Sequence, residues 1–317
     1  MRVLSNSTEA AEFALGPMQL AERSAGELQD DLAGLWRGAC PTPPAPCLVH
    51  GLLDTGILDD YPVAIVDQAG GSQFDALTEL LRNGHTLPDG CATVALTGTG
   101  FHGQRSRAWV AHRGNLHLCV YYRPQVEAAR VGMGFTMLPA VAVADTIQSL
   151  CGTSLPIGIK WVNDVRVNHR KVSGVLTATQ AAGTVMEHVV FGLGLNICIT
   201  PKLEASPFVT RAISLCEAYG QPYSLPEVLP GLLTAMDYRY RQLLTEGPEP
   251  LFQAYAANLE GVGSRVIIYP EEPTDGADEP IAHGLLRGLH RDLGLSITGQ
   301  SEPVRRGRMV LHDEESC

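Results

Sequence analysis

The chain has 317 residues, 45 % of them apolar, enough for one large or two ordinary domains around a packed core. A formal net charge of -11 argues against electrostatically driven binding to nucleic acid or acidic membranes. The 33 glycines and 21 prolines call for many loops and tight turns.

Residues 1–40 read as helical, with Leu28, Leu32 and Leu35 spaced to share one face. Three arginines against six acids give them the wrong charge for a DNA-reading helix. Glu9, Glu12, Glu22 and Glu27 break up any signal-peptide block, and no uninterrupted apolar run reaches about 18 residues. The expectation is a cytoplasmic chain with no membrane span. A proline cluster over 40–47 makes a stiff connector, so residues 1–47 read as an N-terminal extension.

Residues 48–260 mix strands and helices. Short apolar runs at 64–66 and 92–96 suit buried strands, and 74–81 has helical spacing. Leu116, Leu118, Val120 and Tyr122 alternate as in a half-buried strand. Residues 136–150 are helical in character, with Pro139 in the first turn or at a kink. Residues 157–161, 171–179 and 189–199 look like strands joined by short turns, which implies a partly antiparallel sheet rather than repeated βαβ units. A helical stretch over 229–258 breaks near 247–250. Residues 261–317 hold short strand candidates at 265–269, 281–289, 293–298 and 308–311, parted by the acidic loop EEPTDGADEP, as in a small β-barrel or roll.

Three segments can carry chemistry. In LTGTGFHGQRSRAW (96–109), Gly98, Gly100 and Gly103 leave the backbone free to wrap a phosphate while Arg105 and Arg107 neutralise it. The Gly-Lys-Ser/Thr ending of a P-loop is missing, and a solvated hairpin tip fits equally well. In IKWVNDVRVNHRKVSGVL (159–176), Lys160, Asn163, Asp164 and Lys171 are costly to bury unpaired. A turn at 168–170 would bring Lys171 back beside Asn163 and Asp164, where it could hold a phosphate and its magnesium. From spacing alone, a surface hairpin with a Lys–Asp ion pair is the plainer reading. In VVFGLGLNI (189–197), Gly192 and Gly194 mark close approach of a backbone or ligand, or simple strand packing, and Asn196 could bond a base. His102, His112, His117, His169 and His188 show no ligand spacing and read as surface or loop residues. The eight cysteines form no Cys-x-x-Cys pair, no zinc spacing occurs, and Gly-x-Ser-x-Gly is absent, so a reducing compartment is expected.

The order of these segments is more telling than any one. A Gly/Arg loop ending Arg-x-Trp, then Gly-Asn-Leu, Lys-Trp-x-Asn-Asp, Arg-Lys-x-x-Gly and Gly-x-Gly-x-Asn resembles the biotin protein ligase (holocarboxylase synthetase) family, kin to the lipoate ligases and octanoyl transferases, over about residues 60–311. The resemblance implies an α+β fold: a class II aminoacyl-tRNA synthetase-like mixed sheet with helices, plus a small C-terminal SH3-like β domain. It implies that biotin is activated with ATP and Mg2+ as biotinyl-5′-AMP and passed to a lysine of a carboxylase carrier domain. A homodimer is one option the family raises.

By the same resemblance, Lys171 is the essential lysine on the acyl carboxylate and α-phosphate. Lys160, Asn163 and Asp164 stand in the catalytic turn, and Asp164 orients the magnesium or the acceptor amine, with no fixed metal set. Gly103, Arg105, Arg107, Trp109 and Asn196 fall on the adenylate side; Ser72, Gln73, Gly100 and Gly174 fall on the acyl side. Val162 stands where the family has proline, Leu96 where it has glutamine, and His102 and Gln104 where it has arginines. Leu96 favours the alternative of an apolar tunnel for lipoate or octanoate. The weakened loop motivates a second alternative, a catalytically weak acyl-adenylate-binding protein.

Overall fold

Short runs of β-branched and aliphatic residues pair into one mixed sheet in the computed structural model, which describes residues 2–16, 22–23, 30–39, 47–49, 61–202, 211–271 and 279–311. The first half runs β1 (Arg2–Ser5), α1 (Thr8–Leu15), β2 (Glu22–Arg23), α2 (Asp30–Ala39), β3 (Cys47–Val49), β4 (Pro62–Ala69), α3 (Gln73–Arg82), β5 (Ala92–Gly98), β6 (Leu116–Tyr122), β7 (Val126–Glu127), α4 (Ala128–Val131) and α5 (Gly134–Cys151). The second runs β8 (Ile157–Lys160), β9 (Asp164–Val167), β10 (Arg170–Ala182), β11 (Val185–Leu195), α6 (Leu215–Tyr219), α7 (Leu225–Glu246) and α8 (Glu249–Ala257). Four strands follow: β12 (Arg265–Tyr269), β13 (Ala282–Leu289), β14 (Leu295–Ile297) and β15 (Arg308–Leu311).

The main sheet has the order β2-β3-β1-β4-β5-β6-β11-β10-β9-β8, with β7 alongside β11. β1, β4 and β5 run parallel, and from β5 to β8 every neighbour is antiparallel. Period-2 alternation sends side chains to two different cores. Val3, Val63, Ile65, Leu116, Leu118 and Val120 pack with α1, α5 and α7, whereas Leu4, Ala64, Val66, Cys119 and Tyr121 pack with α2 and α3. β6 is therefore buried along its whole length, not half-buried as its alternation suggested.

The first forty residues depart from the helical reading. β1 inserts between β3 and β4, and α1 and α2 cover opposite faces, so this segment builds the sheet instead of preceding it as an extension. Leu28 and the prolines of the connector lie outside the described residues. α5 starts earlier than expected and puts Pro139 in its second turn. The proline cannot donate to Phe135 O, and the Thr177 hydroxyl on β10 bonds that carbonyl at 3.3 Å instead. The stretch Ala128–Cys151 is long and apolar enough to cross a membrane, but 72 % of its window is buried within the fold, as a core helix requires. The expected helical break falls at Gly247–Pro248, between α7 and α8.

The C-terminal strands form a separate antiparallel sheet, β14-β13-β12-β15. Its apolar residues Val266, Ile268, Leu286 and Leu295 join the same buried cluster as α5 and α8. Trp161 links the two sheets by donating its indole N–H to Leu293 O at 2.8 Å.

Candidate active site

Four strands and two glycines shape the site. Across the sheet, Asp164 on β9 is level with Gly174 on β10, Gly174 with Gly194 on β11, and Gly194 with His117 on β6. Register partners share a face, so the two glycines leave a trough between a carboxylate and an imidazole. Lys171 and Trp109 fill it. A Cβ on Gly174 would stand 3.1 Å from Lys171 Nζ, and one on Gly194 would stand 2.4 Å from two indole carbons of Trp109. One row further, a Cβ on Gly192 would meet the Phe74 ring at 3.0 Å. Both interior glycines of β11 thus accommodate aromatic side chains.

Lys171 reaches its place through backbone pairing. The turn Asn168-His169 has φ of 48° and 61°, the two-residue hairpin geometry that matches strand twist. Lys171 then pairs on one side with Arg166 and on the other with the 211–213 segment, through Lys171 N–H to Arg211 O at 2.8 Å and Ile213 N–H to Lys171 O at 2.9 Å. Its Nζ lies 2.7 Å from Asp164 Oδ1 and 5.8 Å from the centre of the Trp109 ring. The ammonium is thereby held between a carboxylate and a π face. Asn163 donates its amide to Val175 O at 2.9 Å, and Tyr255 donates to Val162 O at 2.8 Å, which fixes the turn that carries Asp164. The peptide joining Trp161 to Val162 is cis.

A cavity of about 190 Å³ opens over the trough. Of the expected residues, Lys171, Asp164, Asn163, Gly174, Trp109, Asn196, Gly103, Arg107, Ser72 and Gln73 line it, with Phe74, Phe101, Leu176 and Leu193 as apolar wall. A second, more polar cavity of about 260 Å³ adjoins it, sharing Gln104, Arg107, Asn163 and Asp164; Lys160 and Arg105 line this second one only. Gly100 lines neither: it turns the chain at φ 70°, beside Gly71. Ser72 and Gln73 spend polar groups on the fold, as the N-cap of α3 accepting from Asp75 N–H at 3.3 Å and as a donor to Ala39 O at 3.0 Å. Asn196 donates to Ile213 O at 3.2 Å and accepts from Asn115 at 3.4 Å, so its amide ties strands together.

The loop over the cavity is anchored to protein carboxylates. His102 Nε2 lies 2.7 Å from Asp75 Oδ2, and Arg105 lies 3.3 Å from Glu271. The bond to Asp75, and a second to Gly103 O, raise the His102 pKa above its ordinary value. The anchor is therefore complete below the ordinary histidine pKa and fades as pH rises through the raised one. Arg107 borders both cavities. Leu96 is fully buried in the core beneath the opposite face of the sheet, so it does not form the apolar tunnel expected of it.

Two residues escaped the sequence reading. Asn115 accepts from the N–H groups of Ile197, Cys198 and Ile199 with one oxygen, at 2.9–3.1 Å, and so shapes the turn after Asn196. His117, read as a surface residue, is 5 % exposed and lines the cavity. The period-2 face that His117 shares with Cys119 and Tyr121 was the available signal.

If the indole fills the trough, Gly194→Ala should destabilise the chain by about 1–3 kcal/mol through overpacking. Urea denaturation measures this, and a variant as stable as the parent would show that the ring does not pack there.

The fold and site define an α+β protein whose mixed sheet carries a lysine–carboxylate cavity, with a separate antiparallel sheet that contributes Met309 and Val310 to the adjoining cavity. The model of the biotin/lipoate A/B protein ligase family matches residues 74–196. The chain is 29 % identical over 198 residues to the bifunctional ligase/repressor BirA of Bacillus subtilis, which covers 61 % of this chain and 60 % of that protein. It is also 29 % identical over 210 residues to the biotin--[acetyl-CoA-carboxylase] ligase of Paracoccus denitrificans, covering 66 % of this chain and 82 % of that one. The fold is shared with the biotin protein ligase from Aquifex aeolicus solved with biotin and ATP, at TM-score 0.59 and 20 % identity, over 80 % of this chain and 98 % of that one.

Proposed function

We propose that this chain activates biotin with ATP and transfers it to a lysine of a carboxylase carrier domain. The observation that carries this reading is the Lys171–Asp164 pair, 2.7 Å apart, where an apolar cavity meets a polar one lined by arginines. The apolar side suits an acyl chain and the polar side a polyphosphate. Lys171, on the wall of the apolar cavity beside the Asp164 that borders both, faces the place where a carboxylate oxygen would attack the α-phosphate.

In the first step the biotin carboxylate forms a P–O bond and pyrophosphate leaves. Lys171 offsets the charge on the carboxylate and phosphate oxygens, while Phe101, Trp109 and the loop between them keep water from the mixed anhydride. In the second step a neutral lysine amine of the carrier attacks the anhydride carbonyl and AMP leaves, with Asp164 placed to orient that amine. Among the described residues no group of three or more acidic, histidine or cysteine side chains could hold a metal by itself. Asp164 is the acidic residue lining both cavities, which suits a magnesium carried in on ATP phosphates and held by one protein carboxylate. When bound, that magnesium neutralises phosphate charge. The reading places the chain in the cytoplasm, beside ATP and the acceptor.

ATP–pyrophosphate exchange with biotin, lipoate and octanoate in turn tests the reading. Exchange with biotin alone is expected; exchange with lipoate or octanoate alone would replace the substrate, and exchange with none would overturn the function. The loop adds an expected result. His102 and Arg105 are engaged by Asp75 and Glu271, and Gln104 faces both cavities without charge. A charge-assisted bond there would contribute about 1.5–3 kcal/mol. Gln104→Arg should therefore slow release of bound acyl-adenylate by roughly tenfold or more. Adenylate retained on a spin column against time measures this, and an unchanged half-life would contradict it.

A further inference from the structure

We propose that His117 is a positioning residue that fixes the Trp109 indole, and through the indole the place of Lys171. The inference rests on reading the cavity as the adenylation site and assigns a role to a residue outside the lysine–aspartate pair. His117 sits on β6 at the far end of the glycine trough, level with Gly194. Its Nδ1 accepts the Trp109 indole N–H at 3.2 Å, and its Nε2 faces His112 O at 3.4 Å. Those contacts define one neutral tautomer, with the proton on Nε2 and the lone pair on Nδ1. Burial pushes its pKa down to about 4, so the ring keeps that acceptor at physiological pH. The Phe101 ring lies 5.6 Å away and closes the pocket around it.

The indole has little freedom once this bond is made. Gly194 lies against the ring, His117 holds its N–H, and its backbone N–H donates to Phe101 O at 2.8 Å. Lys171 Nζ is 5.8 Å from the ring centre, and Asp164 alone would not fix the direction of that flexible side chain. Without the Nδ1 acceptor, a half-buried indole N–H would lose its protein partner and the ring would turn to find another. The cavity wall and the lysine would shift together.

The test uses the full chain labelled with 15N-tryptophan, whose three indole resonances belong to Trp36, Trp109 and Trp161, with Trp109→Phe assigning its own. His117→Phe keeps a ring but removes the acceptor; His117→Asn keeps an acceptor close to the Nδ1 position. The Trp109 indole resonance should move and lose protection from hydrogen exchange in the Phe variant and stay near the parent position in the Asn variant. In pyrophosphate exchange, the Phe variant should raise the KM for the acid and lower kcat, for a loss in kcat/KM of about tenfold or more, and the Asn variant should recover most of that loss. A Trp109 resonance unmoved by His117→Phe, or a folded Phe variant with the parent kcat/KM, would overturn the proposal. If the parent shows no exchange with any acid, the functional reading fails while the resonance still decides the positioning role. Should the Phe variant not fold, the hydrogen-exchange protection of Trp109 in the parent, followed on acidification toward pH 4, supplies the decision.

Discussion

Lys171→Ala should lower ATP–pyrophosphate exchange by at least about 10²–10³-fold, the usual effect of removing a preorganised group aimed at developing charge. The side chain is held between Asp164 at 2.7 Å and the Trp109 ring, and Lys160, on β8, does not take its place because it lines the neighbouring cavity only. The fold should survive. Lys171 contributes its backbone to β10 and to the 211–213 segment in any side-chain context, and Asp164 is partly exposed, so its unpaired carboxylate can be hydrated. Lys171→Arg should not rescue, because a planar fork does not fit a point charge held between a carboxylate and an indole face. Exchange rates with near-UV circular dichroism decide the matter. A folded alanine variant that keeps more than about a third of the parent rate would remove Lys171 from the centre of the reaction.

Arg166→Ala should cost about 3–5 kcal/mol of stability, the largest structural loss expected from a single substitution outside the site. Arg166 is 2 % exposed on β9 and its Nη1 lies 2.9 Å from Glu260 Oε2, which is 9 % exposed. Glu260 also meets His169 Nδ1 at 2.6 Å, so one carboxylate joins the β9–β10 turn to the link that leads into the C-terminal sheet. That link is stitched to β8 by Ile159 N–H to Asn258 O and Glu260 N–H to Ile159 O. Removing the arginine leaves a buried carboxylate whose remaining ion-pair partner among the described residues is the exposed His169. Replacing both partners with apolar residues of similar volume, Arg166→Met with Glu260→Leu, should recover most of the loss, since desolvation offsets much of a buried pair's attraction. Guanidinium unfolding of the single and double variants tests this. A single variant within about 1 kcal/mol of the parent would contradict it.

Much of this arrangement was legible in the sequence, and what was not has physical causes. The Lys171–Asp164 pairing followed from a short turn between two strands, a local relation that spacing reports well. The existence of β6 and the break between α7 and α8 were legible too, although β6 is buried along its whole length. β1 was not legible: four residues, RVLS, gain their strand character from partners about sixty positions away on β4. The reason for Gly192 and Gly194 was also hidden, because the rings that lie on them, Phe74 and Trp109, come from distant segments. His117 looked like one of several scattered histidines until the register of three antiparallel pairs set it level with Gly194, Gly174 and Asp164. Leu96 misled for the reverse reason. Its place next to the loop suggested a cavity wall, yet strand alternation turns it into the opposite core.

The most direct measurement of the central claim is to trap the intermediate. The chain is mixed with ATP, Mg2+ and an equimolar set of biotin, lipoate and octanoate, without any carrier domain, then quenched and analysed by mass spectrometry. Biotinyl-5′-AMP from the parent chain and none from Lys171→Ala is the expected result. Absence of any acyl-adenylate from the parent, the adenylate of another acid in place of biotin's, or undiminished biotinyl-5′-AMP from Lys171→Ala would contradict the account.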